Sequence, residues 1–337
     1  MARQGGPDIE RLIIKRRYLE PGEMVKKALV IGVIIIAVLA AGAYYIAFPE
    51  GELALPEIKS VTHEWGVVNA TTTEIISHVV IYNPSGLSAT IESLTYTIYV
   101  NNITMAIGHV EGPVNIPAKG EATITLSTFI DNTKLPTWWA SHIRNGERSV
   151  VEVKGTAKVK AFGVSFNVPF TIPAQEATTD LAERFDVTDK RVCLDLPILP
   201  EAICLLVEKL DNSWGEVNET MTEIKHDLTV RNENNFTIVI PDMELEYEVF
   251  MNNIRLATGQ VPIESTVLEP GEAMRLMFST YVDNTVIDDA WVSHLLNHEK
   301  STVVVKVYAV VGGLRLLVYE DSYTYQTDIL SYISMSS

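Results

Sequence analysis

Cysteine is scarce in this chain, basic charge is scarce, and charge of either sign is missing from one long stretch. Each shortage excludes something. Only Cys193 and Cys204 occur in 337 residues. Neither stands in a C-x-x-C redox spacing or in a zinc-ligand spacing, which excludes a cysteine-built metal or redox centre. Their separation closes a short loop carrying Pro197 and Pro200. Two readings stay open: a disulfide, the usual fate of external thiols, or two buried and unpaired small side chains. None of the seven histidines stands in an H-E-x-x-H spacing, no serine lies in a G-x-S-x-G elbow, and the glycines form no phosphate loop. The D-x-D-x-D-G framework of a calcium loop is missing too.

Two Ser-His dipeptides, Ser141-His142 and Ser293-His294, invite a nucleophile reading. Neighbouring residues on a helix point about 100° apart, so a serine cannot readily bond the next histidine. Both read as packing residues. Asp131 and Asp283 could be general acids, but each precedes Asn-Thr, where capping of a helix already accounts for an aspartate. The expectation is a protein that is not an enzyme and uses no cofactor and no metal.

Basic residues number 26 against 43 acidic ones. Seven of the basic residues (Arg3, Arg11, Lys15, Arg16, Arg17, Lys26 and Lys27) fall in residues 1–27 with four acidic ones, leaving 19 against 39 beyond. So negative a remainder as a whole repels phosphate backbones and anionic headgroups, and nucleic acid is not an expected partner.

Charge is absent from Ala28 to Phe48, 21 residues in all. As a helix that run reaches about 30 Å, the thickness of a bilayer core. Lys26 and Lys27 bound one end, and Tyr44, Tyr45 and Glu50 the other. The basic flank predicts a cytoplasmic segment over 1–27, a single transmembrane helix over 28–48 and an extracytoplasmic remainder in the cell membrane. A cleaved signal peptide has a shorter apolar region nearer the N-terminus. Four N-x-[ST] sequons, at Asn69, Asn102, Asn218 and Asn235, lie on the external side, where glycosylation can occur.

What the chain does have is a repeat. Trp65-Gly66 through Glu74-Ile75 reads against Trp214-Gly215 through Glu223-Ile224, and the match continues to Trp139-Ala140-Ser141-His142 against Trp291-Val292-Ser293-His294. This places one copy at 57–173 and a second at 206–325, with a linker or an elaborated lead-in strand at 174–205 and a frayed tail at 326–337. Val151, Val153, Ala157 and Val159 alternate with polar residues, as do Val164, Phe166, Val168 and Phe170. The second copy, where Ile224, His226, Leu228 and Val230 alternate cleanly, assigns Ile75, Ser77, Val79 and Ile81 to the core face of the first. Leu135, Trp139, His142 and Ile143 break this pattern with helical spacing, and Ile287, Trp291, His294 and Leu295 repeat it. The fold class is therefore all-β: two tandem antiparallel β-sandwiches of immunoglobulin or fibronectin-III kind, each with one short helix, preceded by a transmembrane helix.

Asn83-Pro84, Tyr96, Val100-Asn101-Asn102, the Ile116–Gly120 turn and Asp131-Asn132-Thr133 … Trp138-Trp139 resemble the late-embryogenesis-abundant type 2 family. They are most similar to its water-stress-and-hypersensitive-response domain in an archaeal-looking membrane form. Copy two departs at one hallmark, because Glu233 follows Asn232 where Pro84 follows Asn83. The resemblance implies a small sandwich without catalytic residues, acting in desiccation or stress tolerance in a chaperone-like way on client proteins or membranes. The other expectation is a structural or adhesive protein whose sandwiches bind cell-envelope components or self-associate.

Overall fold

Alternating apolar side chains put one face of each segment in a core, and nineteen strands result among the described residues. The computed structural model describes residues 56–161, 163–194, 203–331 and 335–336. The expected transmembrane segment at 28–48 and the cytoplasmic segment at 1–27 lie outside them. Among the described residues no helix is long and apolar enough to cross a membrane.

The first sheet is built from β1 (Glu57–Val68), β2 (Thr72–Tyr82), β3 (Ala89–Val100), β4 (Ile103–Val110), β5 (Val114–Ile116), β6 (Glu121–Asp131), β7 (Arg148–Ala161) and β8 (Val164–Thr178). Its order is β1-β2-β6-β4-β3-β7-β8, with β5 against β3. Val61 of β1 and Phe170 and Ile172 of β8, from opposite ends of that order, share one core with Ile81, Leu94, Ile124 and Val153. The sheet therefore curls over itself. Ile75, Ser77, Val79 and Ile81 are all buried, so β2 presents the face that the repeat assigns to the core.

The second sheet contains β9 (Val187–Leu194), β10 (Ile203–Val217), β11 (Met221–Asn232), β13 (Met243–Met251), β14 (Ile254–Ile263), β16 (Ala273–Asp283), β17 (Lys300–Val311) and β18 (Leu314–Gln326). A separate ribbon pairs β12 (Ile238–Ile240) with β15 (Thr266–Leu268). The order β10-β11-β16-β14-β13-β17-β18 repeats that of the first sheet, and β9 extends it beyond β10. Both sheets turn between corresponding strands on an Asn-Asn pair with positive φ, Asn101-Asn102 and Asn252-Asn253, as a two-residue hairpin requires. The second sheet is the more open one. Leu316 and Val318 of β18 are 50% and 40% exposed, whereas Val168 of β8 is 7% exposed.

Among the described residues three α-helices accompany the strands: α1 (Leu135–Arg144), α2 (Leu181–Arg184) and α3 (Ile287–Leu296). Residues 174–205, expected as a linker or lead-in strand, hold the end of β8, α2 and β9, and β9 pairs in register with β10. The chain forms two compact units. One consists of 180–283 with 302–327; the other holds the first sheet together with 284–301 and the residues from 328 onward. α3 thus belongs to the unit of the first sheet. The segment 326–337, expected as a frayed tail, contributes a buried Ile329 to that unit and a two-residue strand, Met335–Ser336, that pairs with β1.

Candidate functional site

The chemistry-bearing side chains gather after each of the two longer helices. α1 follows a 3-10 turn, Asn132–Lys134, whose cap is Asp131: its Oδ1 accepts from the Thr133 amide at 3.1 Å and the Thr133 hydroxyl at 2.6 Å. That one oxygen shapes the turn. Asp283 ends β16 immediately before the corresponding turn, Asn284–Val286. Inside the first turn Asn132, fully buried, accepts from the Thr73 hydroxyl and donates to the Asn69 carbonyl.

His142, on the buried side of α1, does not bond Ser141. Its Nδ1 lies 2.9 Å from Ser149 Oγ, and its Nε2 lies 2.8 Å from Thr179 Oγ1. Thr179 donates onward to Glu147 Oε2 at 2.6 Å, and the Trp138 indole donates to Ser149 Oγ at 3.0 Å. Because Thr179 gives its hydrogen to Glu147, Nε2–H is the donor toward Thr179, and Nδ1 lies against a Ser149 hydroxyl that also accepts from Trp138. Burial pushes the imidazole pKa below the usual value, against the opposing pull of the Glu147 carboxylate and a backbone bond at Arg148. A serine hydroxyl on an imidazole nitrogen is nucleophile geometry, yet His142 and Ser149 are both 0% exposed, so no substrate reaches them. After α3, His294 Nδ1 meets Ser301 Oγ at 2.8 Å, again buried. Sequence reasoning missed Ser149, Ser301, Glu147 and Glu299. The signal was present as a repeated H-x4-E-x-S, His142-Glu147-Ser149 and His294-Glu299-Ser301.

Trp291 of α3 donates its indole N–H to Thr73 Oγ1 at 3.1 Å and meets Trp65 edge to face, with centroids 6.1 Å apart. Trp139 is half-buried on α1. These tryptophans are structural members of one unit.

The Asn-Pro hallmark is a turn clamp. Asn83 Nδ2 donates to the carbonyls of Leu87 and Pro117, and its Oδ1 accepts from the Ser85 amide. Asn232 Nδ2 donates in the same way to Phe236 and Leu268, and its Oδ1 accepts from Asn234. The asparagine amide carries the turn, so replacing Pro84 by Glu233 leaves its bonds intact.

Beside the second clamp, Cys193 and Cys204 face each other across β9 and β10 and are joined by a disulfide. Asn234 grips the backbone of Cys204 through both amide and carbonyl. Arg191, Arg231, Asn232, Glu233, Asn234 and Gly271 line a shallow depression of about 450 Å³ here. Its arginines are already engaged, Arg191 with Glu233 at 2.9 Å and Arg231 with Glu208. Of the four sequon asparagines, Asn69 and Asn218 accept from Thr71 and Thr220 and so cap the β1–β2 and β10–β11 turns. Asn102 and Asn235 are exposed.

In the second sheet, Asp186 accepts from the Asn212 side chain, Asn212 Oδ1 lies 2.6 Å from His226 Nδ1, and His226 Nε2 lies 2.6 Å from Thr280, which also meets the Tyr247 hydroxyl. The corresponding cross-strand pair in the first sheet is His63 with Ser77, at 2.8 Å. Histidine and its polar partner have exchanged strands.

With this geometry the chain is an all-β protein of two sheet bodies with short helices, and its residues 78–174 match the family described as late embryogenesis abundant protein. An uncharacterized protein of Methanocaldococcus jannaschii is 28% identical over 138 residues, covering 40% of this chain and 76% of that relative. A crystal structure of a protein from Archaeoglobus fulgidus aligns at 27% identity over 37% of this chain and 98% of that one, with a TM-score of 0.32. A solution structure of an Arabidopsis thaliana protein aligns at 14% identity over 36% and 83%, with a TM-score of 0.27. The family match and the archaeal relative support the late embryogenesis abundant family.

Proposed function

We propose that this is a non-enzymatic, stress-protective protein of late embryogenesis abundant type 2 kind, with two tandem copies of a β-sandwich held outside the cell by an N-terminal membrane anchor. The family match over 78–174 carries the reading. The 21 uncharged residues at 28–48 support the anchor. The repeated strand order supports duplication. The sealed Ser149–His142 pair supports a role without catalysis, because its polar groups are spent on holding α1 in place. A hydrated, acidic domain tethered at a membrane keeps unfolding clients apart at high local concentration. The test is aggregation of a heated or dried reporter enzyme beside the full chain in lipid nanodiscs. Less aggregate than with empty nanodiscs is expected; equal amounts count against the reading.

A second reading, an adhesive or self-associating envelope protein, is favoured by β18. This edge strand exposes Leu314, Leu316, Leu317 and Val318 and contains no proline. The corresponding edge strand β8 carries Pro169 and Pro173, which remove donors that another strand would use. Crosslinking of the full chain in cells distinguishes the two readings: dimers lost on Leu316→Lys support adhesion, and monomer alone removes it.

A further inference from the structure

We infer that one end of the first sheet, the end at which the chain enters β1, is a docking surface for an anionic lipid bilayer. The inference rests on the membrane-anchored reading above. Seven residues, 49–55, separate the uncharged stretch from the first described residue. Fully extended they span roughly 25 Å. Whatever their path, the start of β1 stays within that distance of the membrane.

The register shows what else lies at that end. Glu57 pairs with Tyr82, and Tyr82 pairs with Glu121. The Asn83 clamp ties the following loop, with Leu87, to the Pro117–Gly120 turn. Thr90 pairs with Lys160, and Lys160 with Ser165, which brings the start of β8 alongside. Two exposed apolar side chains, Leu87 at 36% and Val164 at 53%, therefore share the end with Lys119 and Lys160, while Lys59 and Lys158 there pair with Glu57 at 2.7 Å and Glu92 at 3.0 Å, and Glu121 adds a third carboxylate. Apolar tips among lysines are the pattern of an interfacial contact: aliphatic groups enter the headgroup region while ammonium groups meet its phosphates.

Charge partition gives a second, independent argument. Residues 57–179 with 284–301 and 328–337, the unit of the first sheet, hold nine basic against fourteen acidic residues, while 180–283 with 302–327 hold ten against twenty-three. An anionic surface repels the unit of the second sheet more strongly than that of the first. Four of the nine basic residues of the first unit stand at the end nearest the tether.

The test uses the full chain reconstituted into vesicles of phosphatidylcholine and phosphatidylglycerol. The native cysteines are bonded to each other, so Val164→Cys and, separately, Val150→Cys each accept a single environment-sensitive fluorophore. Val150, 45% exposed, begins β7 and lies at the opposite end from Val164. A blue-shifted emission quenched by brominated acyl chains is expected at 164 and not at 150. Lys119→Gln and Lys160→Gln should each reduce the quenched fraction about fivefold. If the chain floats with the vesicles while both labels report water, this surface assignment is overturned and the anchor stands. Quenching at 164 that ignores both lysine changes overturns the anionic contact. If the chain does not float with vesicles, the anchor falls and this inference falls with it.

Discussion

Trp65 donates its indole N–H to Glu299 Oε1 at 2.9 Å, across 234 positions of sequence. The other oxygen of the same carboxylate accepts the Ile329 amide at 2.6 Å. Glu299 is 8% exposed and sits at φ 56 after α3. Both of its oxygens face donors. Glu299→Gln turns one donor–acceptor contact into donor against donor and is expected to cost about 1–3 kcal/mol. Urea unfolding, read by tryptophan fluorescence, measures it.

Gly108 lies beneath the Tyr96 ring. A Cβ there would approach the ring within 2.1 Å, and Gly259 stands in the same relation to Tyr247. Tyr96 is held by its bond to Thr128 at 2.5 Å, and its burial pushes the phenol up to about 12. Gly108→Ala must displace the ring and break that bond, an overpacking cost of about 1–3 kcal/mol or more. Gly86, with nothing within 4 Å of its added Cβ, is the control. Gly86→Ala should leave the thermal midpoint within a degree or two, while Gly108→Ala lowers it by several.

Three histidines, the buried His142 and His294 and the half-buried His226, share one pH signature. Burial lowers each pKa below 6.5 in the folded state. The unfolded chain therefore binds protons that the folded chain refuses, and the stability these groups contribute is lost as pH falls from about 6.5 toward each depressed folded value. Each contributes at most about 1.4 kcal/mol per pH unit in that window. Denaturation midpoints measured at pH 7.5 and pH 5.5 should fall at the lower pH. His226→Asn should flatten part of that slope.

At the β2–β3 turn the asparagine matters and the proline does not. Asn83→Asp removes two bonds to carbonyls and sets a carboxylate against them, a loss of about 2–4 kcal/mol. Pro84→Glu copies the residue that follows Asn232 and should cost less than about 1 kcal/mol. Paired chemical denaturation of the two variants decides the order; a larger cost for Pro84→Glu would reverse the assignment.

Periodicity made much of the fold legible. Val151, Val153, Ala157 and Val159 are all buried as their alternation requires. The ambiguous β2 was readable only because β11 alternates more cleanly. α1 was visible in the spacing of Leu135, His142 and Ile143, all buried. Two features were not legible. β9, with Thr188, Asp189, Lys190 and Arg191, is an edge strand whose polar sequence follows from its exposure, so without apolar alternation the sequence supports a linker there as well as a lead-in strand. Nor does helical spacing in α3 say which of two similar sheets its apolar side will join. The Ser149–His142 contact was hidden for a third reason: seven residues and a turn separate partners that only the fold brings together.

Because α3 and Ile329 complete the unit of the first sheet, that unit cannot finish forming while the ribosome is still adding the final stretch of chain. Translation delivers its strands and their shared core, Val61 to Ile172, early, and the α3 and Ile329 segments that join them last. Any premature stop after residue 283 but before 331 would harm the oldest-made half of the molecule as well as the newest.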